Sequence, residues 1–372
     1  MLEGRSGSIF GILINMLWSK LNSIYKNYEY HISSIALVLG FIFDVLTLRR
    51  ADAFWENFWV VFHLIVVATA ILLINRKSKS EDRDSDMDFW LLSLMQFSFG
   101  GLLSAFLILY FRSASLAVSW PFLLMLALAF IANERLKRHY QRLTYQVSFF
   151  FSALLLFSIF FVPVVVGYIG PAIFVFSGLV SLLVLRVFLA VLRGVSGEKF
   201  VLALNSIRGI VLVIFVAINV LYFTNIIPPI PLSLREGGVY HLVDKEITGQ
   251  YVLRTEKNNW LEKLSPRTSV NILPDQPLFV YTAIFSPAKF STKIVHEWQY
   301  FEEGKGEWVS VSRILLPITG GRNNGYRTYS ISSVVPGSWR VNVMTERGQV
   351  LGRIWFKVDY VGVQPELVTE VH

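Results

Sequence analysis

The sequence predicts an α-helical polytopic membrane domain with seven transmembrane helices, followed by a C-terminal all-β antiparallel sandwich domain. Three observations carry that expectation. The 372 residues are 54% hydrophobic and only 16% charged, with a mean hydropathy of +0.52, whereas a soluble domain carries about 25% charged residues. Before Leu232 the apolar residues gather into seven stretches close to the roughly 20 residues a helix needs to cross hydrocarbon. After Leu232 the apolar period changes from helical to alternating, punctuated by Gly and Pro turns.

Residues 1–30 read as a cytoplasmic segment. Within it, Phe10, Leu13, Leu17 and Leu21 recur at helical spacing while Asn15, Ser19 and Lys20 interrupt the run. An amphipathic helix lying in the membrane interface is the expectation. No basic start or small-residue cleavage site marks a signal peptide.

Residues 31–223 hold the crossings: His31–Leu48, Ala53–Ile74, Phe89–Phe111, Ala114–Ala132, Leu143–Val162, Tyr168–Leu192 and Phe200–Phe223. Arg49-Arg50, the charged run 76–88, Arg112-Ser113, residues 134–142, a Pro163–Pro171 bend and residues 193–199 separate them. The short break at Arg112-Ser113 predicts an antiparallel hairpin of the third and fourth helices. Alternate loops carry 13 Lys and Arg residues on one side against 3 on the other. The positive-inside rule then places the N-terminus in the cytoplasm, and an odd number of crossings puts the C-terminal half outside.

Arg186 and Arg208 fall within helices six and seven at similar depth. They read either as an intramembrane anion or lipid contact or as side chains snorkelling to the inner headgroups. Asp44, His63, Gln96, Asn205 and Asn219 are the other polar residues at depth, and a mid-helix histidine commonly serves interhelical hydrogen bonding. Gly100-Gly101 with Ser104 offer a small-residue face, for a homo-oligomer or for packing within the chain.

Pro228, Pro229 and Pro231 make residues 224–236 a Pro-rich linker, expected to be stiff and extended. Residues 237–360 form the β domain and 361–372 a tail. Candidate strands are 239–243, 250–255, 278–285, 293–301, 307–318, 326–332, 339–345 and 350–358. In Trp339-Arg-Val-Asn-Val343, the odd positions should face the core and Arg340 and Asn342 water.

The run Ile294-Val-His-Glu-Trp298, then Gly320-Gly-Arg-Asn-Asn-Gly-Tyr-Arg-Thr-Tyr-Ser330, Gly337-Ser-Trp-Arg-Val341, Gly348-Gln and Phe356 resembles the bacterial domain of unknown function 2914. Gly40-Phe41, Asp44 and Arg49-Arg50 are similar to the opening of the multi-helix region that precedes this domain in some members. The resemblance implies a bacterial inner-membrane protein with an exported β domain, and brings no catalytic residues with it.

The chemistry is sparse. The chain has no cysteine, which removes disulfides and thiol catalysis. His-Glu-x-x-His, Walker and Gly-x-Ser-x-Gly patterns are missing, and Asp84-Ser-Asp86 and Asp86-Met-Asp88 sit in a mixed-charge loop. No catalytic set, metal or cofactor is expected. Because six of the eight excess positive charges precede Leu232, the basic balance reports membrane orientation rather than nucleic-acid binding.

In the β domain, Arg322, Tyr326, Arg327 and Arg340, with His296, Trp298 and Trp339, form a candidate glycan or anion patch. The alternative is a hairpin whose glycines serve the backbone, beside aromatics and a satisfied histidine that fill the core. The functional expectation is a non-enzymatic membrane protein whose β domain recruits or senses an envelope protein or glycan, with membrane lipids as its surroundings. Alternatives are a transporter or lipid-handling protein using Arg186 and Arg208 as an anion site in the helical core, and a membrane-embedded transferase. The latter requires a polar cavity converging on Asp44 or His63.

Overall fold

The computed structural model describes residues 16, 35, 38–48, 52–76, 85–135, 137–247, 249–257, 268–287, 290–320 and 325–372. The expected interfacial helix at 9–25, the Arg49-Arg50 pair and Arg322 therefore lie outside the described residues, Met16 excepted. Helices α2 (Phe54–Ile74), α3 (Ser85–Ser113), α4 (Leu116–Arg135), α5 (Leu143–Val166), α6 (Pro171–Ser196) and α7 (Glu198–Phe223) are each long and apolar enough to cross a membrane. The protein is a membrane protein. Ahead of them, α1 is described over Val38–Thr47, ten residues that rise about 15 Å, half a hydrocarbon core.

α5 is the central helix, packing against α2, α3, α6 and α7. Its Phe150, Phe151, Leu155 and Phe160 are buried in the helical core. α7 is the opposite case: Val201, Leu202, Leu212 and Val213 all face outward, as a lipid-facing helix should. Two residues, Ala114 and Ser115, separate the antiparallel α3 and α4. The predicted break at Pro163 is not one. α5 runs through Pro163 to Val166 and ends at Gly167, whose φ of 79° is the left-handed cap conformation. Pro121 is likewise accommodated within α4, as its sixth residue.

The linker is compact rather than extended. Ile230 N–H donates to Pro228 O and Leu232 N–H to Pro229 O, both at 2.9 Å. Ile227 and Ile230 join the buried helical core. Prolines stiffen a chain but do not straighten it against an apolar surface it can bury. Here Ile227 and Ile230, on either side of Pro228-Pro229, are worth more buried than solvated.

Eleven strands follow: β1 (Ser233–Tyr240), β2 (Leu242–Lys245), β3 (Tyr251–Glu256), β4 (Thr268–Ile272), β5 (Pro277–Phe285), β6 (Ser291–Glu302), β7 (Glu307–Thr319), β8 (Tyr326–Ser333), β9 (Gly337–Thr345), β10 (Val350–Tyr360) and β11 (Leu367–Val371). They make a three-stranded sheet β1-β5-β8, a five-stranded sheet β4-β10-β9-β6-β7 and a small sheet β11-β3-β2. Leu278 and Val280 of the first sheet bury against Trp298, Trp339, Val341, Phe356 and Val358 of the second. Complete burial of such side chains contributes about 1.5–3 kcal/mol each.

Three expectations change here. The pairing is not wholly antiparallel, because β4 runs parallel to β10; β4 and β5 lie in different sheets, so the turn between them crosses sheets instead of closing a hairpin. The tail at 361–372 is not free: β11 pairs with β3 from Leu367↔Glu256 to Val371↔Val252. The first strand starts at Ser233, inside the linker segment, and the run 239–243 is divided between β1 and β2 at His241.

The β region sits directly on one end of the helical bundle. Val118 near the start of α4 packs on Val295, Met344 and Val350, and Ile169 between α5 and α6 packs on the Leu232–Ile284–Leu351 cluster. In the β9–β10 turn, Arg347 places its guanidinium 4.3 Å from the Tyr222 ring centroid and 4.8 Å from that of Phe223 at the end of α7. Gln349 Nε2 donates to Ile227 O at 3.4 Å. The other end of the bundle carries Arg76, Arg135, Arg142, Arg193 and Lys199.

Candidate functional site

Two places concentrate polar chemistry: a cavity in the helical bundle and the outward face of the five-stranded sheet. The cavity, about 980 Å³, follows α3 from Trp90 to Ala105 and is closed by α1, α2 and the end of α4. That stretch of α3 spans about 22 Å. Asp44 and Thr47 enter from α1; Trp55, Trp59 and His63 from α2; Ser104 from α3; Asn133 and Glu134 from α4. His63 fits because Gly101 lacks a side chain: a Cβ there would stand 2.9 Å from His63 Nε2. The Gly100-Gly101 step therefore has a use inside the chain.

At the cavity's inner end lies a buried hydrogen-bond network. Gln96 Nε2 donates to Glu134 Oε2 at 3.0 Å, and Asn133 Nδ2 to Gln96 O at 3.2 Å. The Tyr140 hydroxyl donates to Asn133 Oδ1. Gln146 Nε2 reaches Tyr140 O, and Asn75 Nδ2 reaches Gln146 Oε1, each at 2.6 Å. These bonds join α2, α3, α4 and α5, and satisfy amides that would otherwise be costly in hydrocarbon. Sequence reading singled out Gln96 alone among them. Asn133 and Glu134 closing an apolar run, and Gln146 inside one, were the signals available.

Arg186 and Arg208 do not form a site in the helical core. Both are exposed on α6 and α7, each eleven residues from Gly197, the residue between the two helices. At that distance the guanidinium is more cheaply hydrated or headgroup-bound outside the bundle than buried within it.

The β-region candidates are not brought to one place. Tyr326 and Arg327 are on β8 in the three-stranded sheet, where Tyr326 packs into the Leu232–Ile284 cluster and Arg327 O accepts from the Tyr251 hydroxyl at 3.2 Å. Arg340 is on β9 in the five-stranded sheet. Gly320 and Gly325, which flank the segment holding Arg322, are positions of close backbone approach. A Cβ would stand 1.6 Å from Pro287 O at Gly320 and 3.0 Å from Ile284 N at Gly325.

His296 is a satisfied core residue: Nε2 lies 3.1 Å from Thr282 Oγ1 and Nδ1 2.8 Å from Ser330 Oγ, which also accepts from Trp298 Nε1 at 3.0 Å. Burial pushes its pKa down to about 3.

Arg340 belongs instead to a ladder on the outward face. Strand register sets rungs of Leu315–Val295–Met344–Val350, Arg313–Glu297–Asn342–Arg353 and Ser310–Gln299–Arg340–Trp355. The first rung supplies the contact with Val118. In the second, Glu297 Oε2 accepts from Asn342 Nδ2 at 3.0 Å, and Arg353 Nε donates to Asn342 Oδ1 at 3.0 Å. In the third, Arg340 Nε donates to Gln299 Oε1 at 2.6 Å. Its guanidinium lies 4.4 Å from the Trp308 ring and 5.4 Å from the Trp355 ring. The two indoles meet edge to face at 5.3 Å, with Phe301 against Trp308. Arg340 is four residues from Met344, so this half-exposed Arg–Trp platform stands about 13 Å from the bundle contact. Sequence reading placed Arg340 on the water face but missed Trp308, Trp355 and Glu297, which only the register brings beside it.

Among the described residues no group of three or more His, Cys, Asp or Glu side chains is arranged to hold a metal ion.

Residues 291–358, from the start of β6 to near the end of β10, match the family described as Protein of unknown function (DUF2914). No curated protein matches the chain at a significant level. Among solved structures, the chain is similar to the Pseudomonas fluorescens alkylpurine DNA glycosylase AlkC bound to DNA containing an abasic site analog. The identity is 11% over 82% of this chain and 98% of that one, with a TM-score of 0.21. Overlap at that level shows no shared fold.

Proposed function

We propose that this chain, with its DUF2914 segment, is a non-enzymatic bacterial inner-membrane protein whose periplasmic β-sandwich recruits or senses an envelope protein or glycan. Seven crossings, with the N-terminus in the cytoplasm, put the basic loops inside and the β region outside. The observation that carries the binding reading is the Arg340–Trp308–Trp355 platform. A guanidinium held over two indoles beside the Glu297–Asn342–Arg353 row combines flat apolar surface with oriented polar groups. Sugar rings and peptide side chains are recognised by that combination. Tyr326 and Arg327, on the three-stranded sheet, are not part of this face.

The test is a photo-crosslinking residue in place of Ser310, on the platform's rung, in the full chain in its own membrane. A defined adduct in the wild-type background that is lost with Arg340→Ala, at unchanged protein abundance, is the expected result. An adduct pattern indifferent to Arg340→Ala and Trp355→Ala contradicts the reading.

A further inference from the structure

We infer that the outward face of the α6–α7 hairpin is a docking surface inside the membrane for a helix of another membrane protein, one that carries an aspartate or glutamate near its middle. Both helices have 26 residues, about 39 Å against a hydrocarbon core of roughly 30 Å. Arg186 is the sixteenth residue of α6 and Arg208 the eleventh of α7, so each lies within a turn of its helix's middle. The helices meet at Gly178, where a Cβ would stand 2.8 Å from the Phe215 ring. That contact is eight residues before Arg186 and seven beyond Arg208, which sets both arginines at one depth on adjacent antiparallel helices. Both are exposed, and among the described residues neither guanidinium has an ion-pair or hydrogen-bond partner. Charged side chains at such depth ordinarily face the bundle interior and pair with opposite charge. Here they face outward, on the least buried of the six spans and its neighbour.

Charge complementarity names the occupant. In hydrocarbon a carboxylate attracts a guanidinium many times more strongly than it does in water. A symmetric second copy would set guanidinium against guanidinium, because the one acidic residue of α6 and α7 is Glu198, at the turn. Snorkelling toward the headgroups beside Arg193 and Lys199 relieves the arginines but gives no use to their neighbours. Asn205, Gly209, Leu212 and Val216 follow helical spacing on α7, and all four are exposed. An asparagine at depth hydrogen-bonds across helices, and a glycine lets a second backbone approach closely. No other helix lies within 4 Å of the position a Cβ would take at Gly209, so packing within the described fold does not require a glycine there. This surface uses nothing of the β region, and it stands or falls apart from the platform.

The experiment places a photo-crosslinking residue at Leu212, on that stripe, in the full-length chain in its own membrane. The expected result is an adduct with another membrane protein that has an aspartate or glutamate within a turn of the middle of a membrane helix. Arg186→Leu combined with Arg208→Leu should abolish this adduct at unchanged abundance, whereas Arg186→Lys with Arg208→Lys should keep it. Replacing the partner's carboxylate by its amide should abolish it as well. Adducts only with lipid, with a second copy or within the chain would overturn the inference, as would no adduct at all. So would a protein adduct that survives both leucines or the loss of the partner's carboxylate. Where the leucine variant does not accumulate, Arg186→Gln with Arg208→Gln is read in its place: a lost adduct supports the surface, and a retained one contradicts it.

Discussion

His296 shows how far single residues could be understood before the fold was known. Alternation along β6 placed it on the same face as Trp298, and that face is buried. Its partners Thr282 and Ser330 come from the opposing sheet, and no local pattern announces a bond across two layers. The consequence is a pH-dependent stability. The unfolded chain protonates this histidine near its ordinary pKa of 6.5, and the folded chain only near about 3. Its contribution is full above pH 6.5 and is lost progressively as the pH falls toward 3, by about 1.4 kcal/mol per pH unit. His296→Gln should lower stability at pH 7 and flatten the slope between pH 6 and 4, read by thermal unfolding of the β region. An unchanged slope would show that His296 titrates normally. Arg340 has the same history: alternation turned it outward, but its cation–π partners depend on strands β7 and β10.

Elements divide by how local their causes are. Helices α2 to α7 were legible because apolar length alone specifies a span, and their ends follow charged or Gly/Pro positions. The misplaced end of α5 came from treating Pro163 as a break, when a proline near a helix C-terminus loses little that Gly167 does not restore. Strands β4 and β11 were missed because they are short, polar edge strands whose existence depends on β10 and β3. One clasp fixes β4. Burial alone would raise the Glu256 pKa, but its bonds to His241 at 3.0 Å and to Asn271 N and Nδ2 at 2.5 and 2.8 Å outweigh that and hold it below the usual carboxylate value. Between α2 and α3 the seam rests on Gly101. Gly101→Val should cost about 1–3 kcal/mol by overpacking, and His63→Ala in the same chain should restore part of the loss. Additive losses in the double variant would mean that the two residues do not share a contact.

At the scale of the molecule, the sequence divided the chain correctly into a helical and a β half but separated them with a spacer. In fact Ile227 and Ile230, on either side of Pro228-Pro229, bury, and the β9–β10 turn reaches the end of α7 through Arg347. Contacts so distant in sequence leave no periodic trace. Arg347→Ala should loosen this seat without unfolding either half, seen as faster proteolysis near residues 224–232 at unchanged helical content. Equal proteolysis rates would make the contact incidental. The proposed topology puts the β region outside the membrane, on the side opposite the basic loops. A chain without cysteine tests it cleanly, because single substitutions report without background. The measurement is membrane-impermeant maleimide labelling of Ser310→Cys and Lys199→Cys in intact cells with a permeable outer membrane. Ser310→Cys should label directly, whereas Lys199→Cys should label only after the inner membrane is opened. Labelling in the reverse order, or of both residues in intact cells, would contradict it.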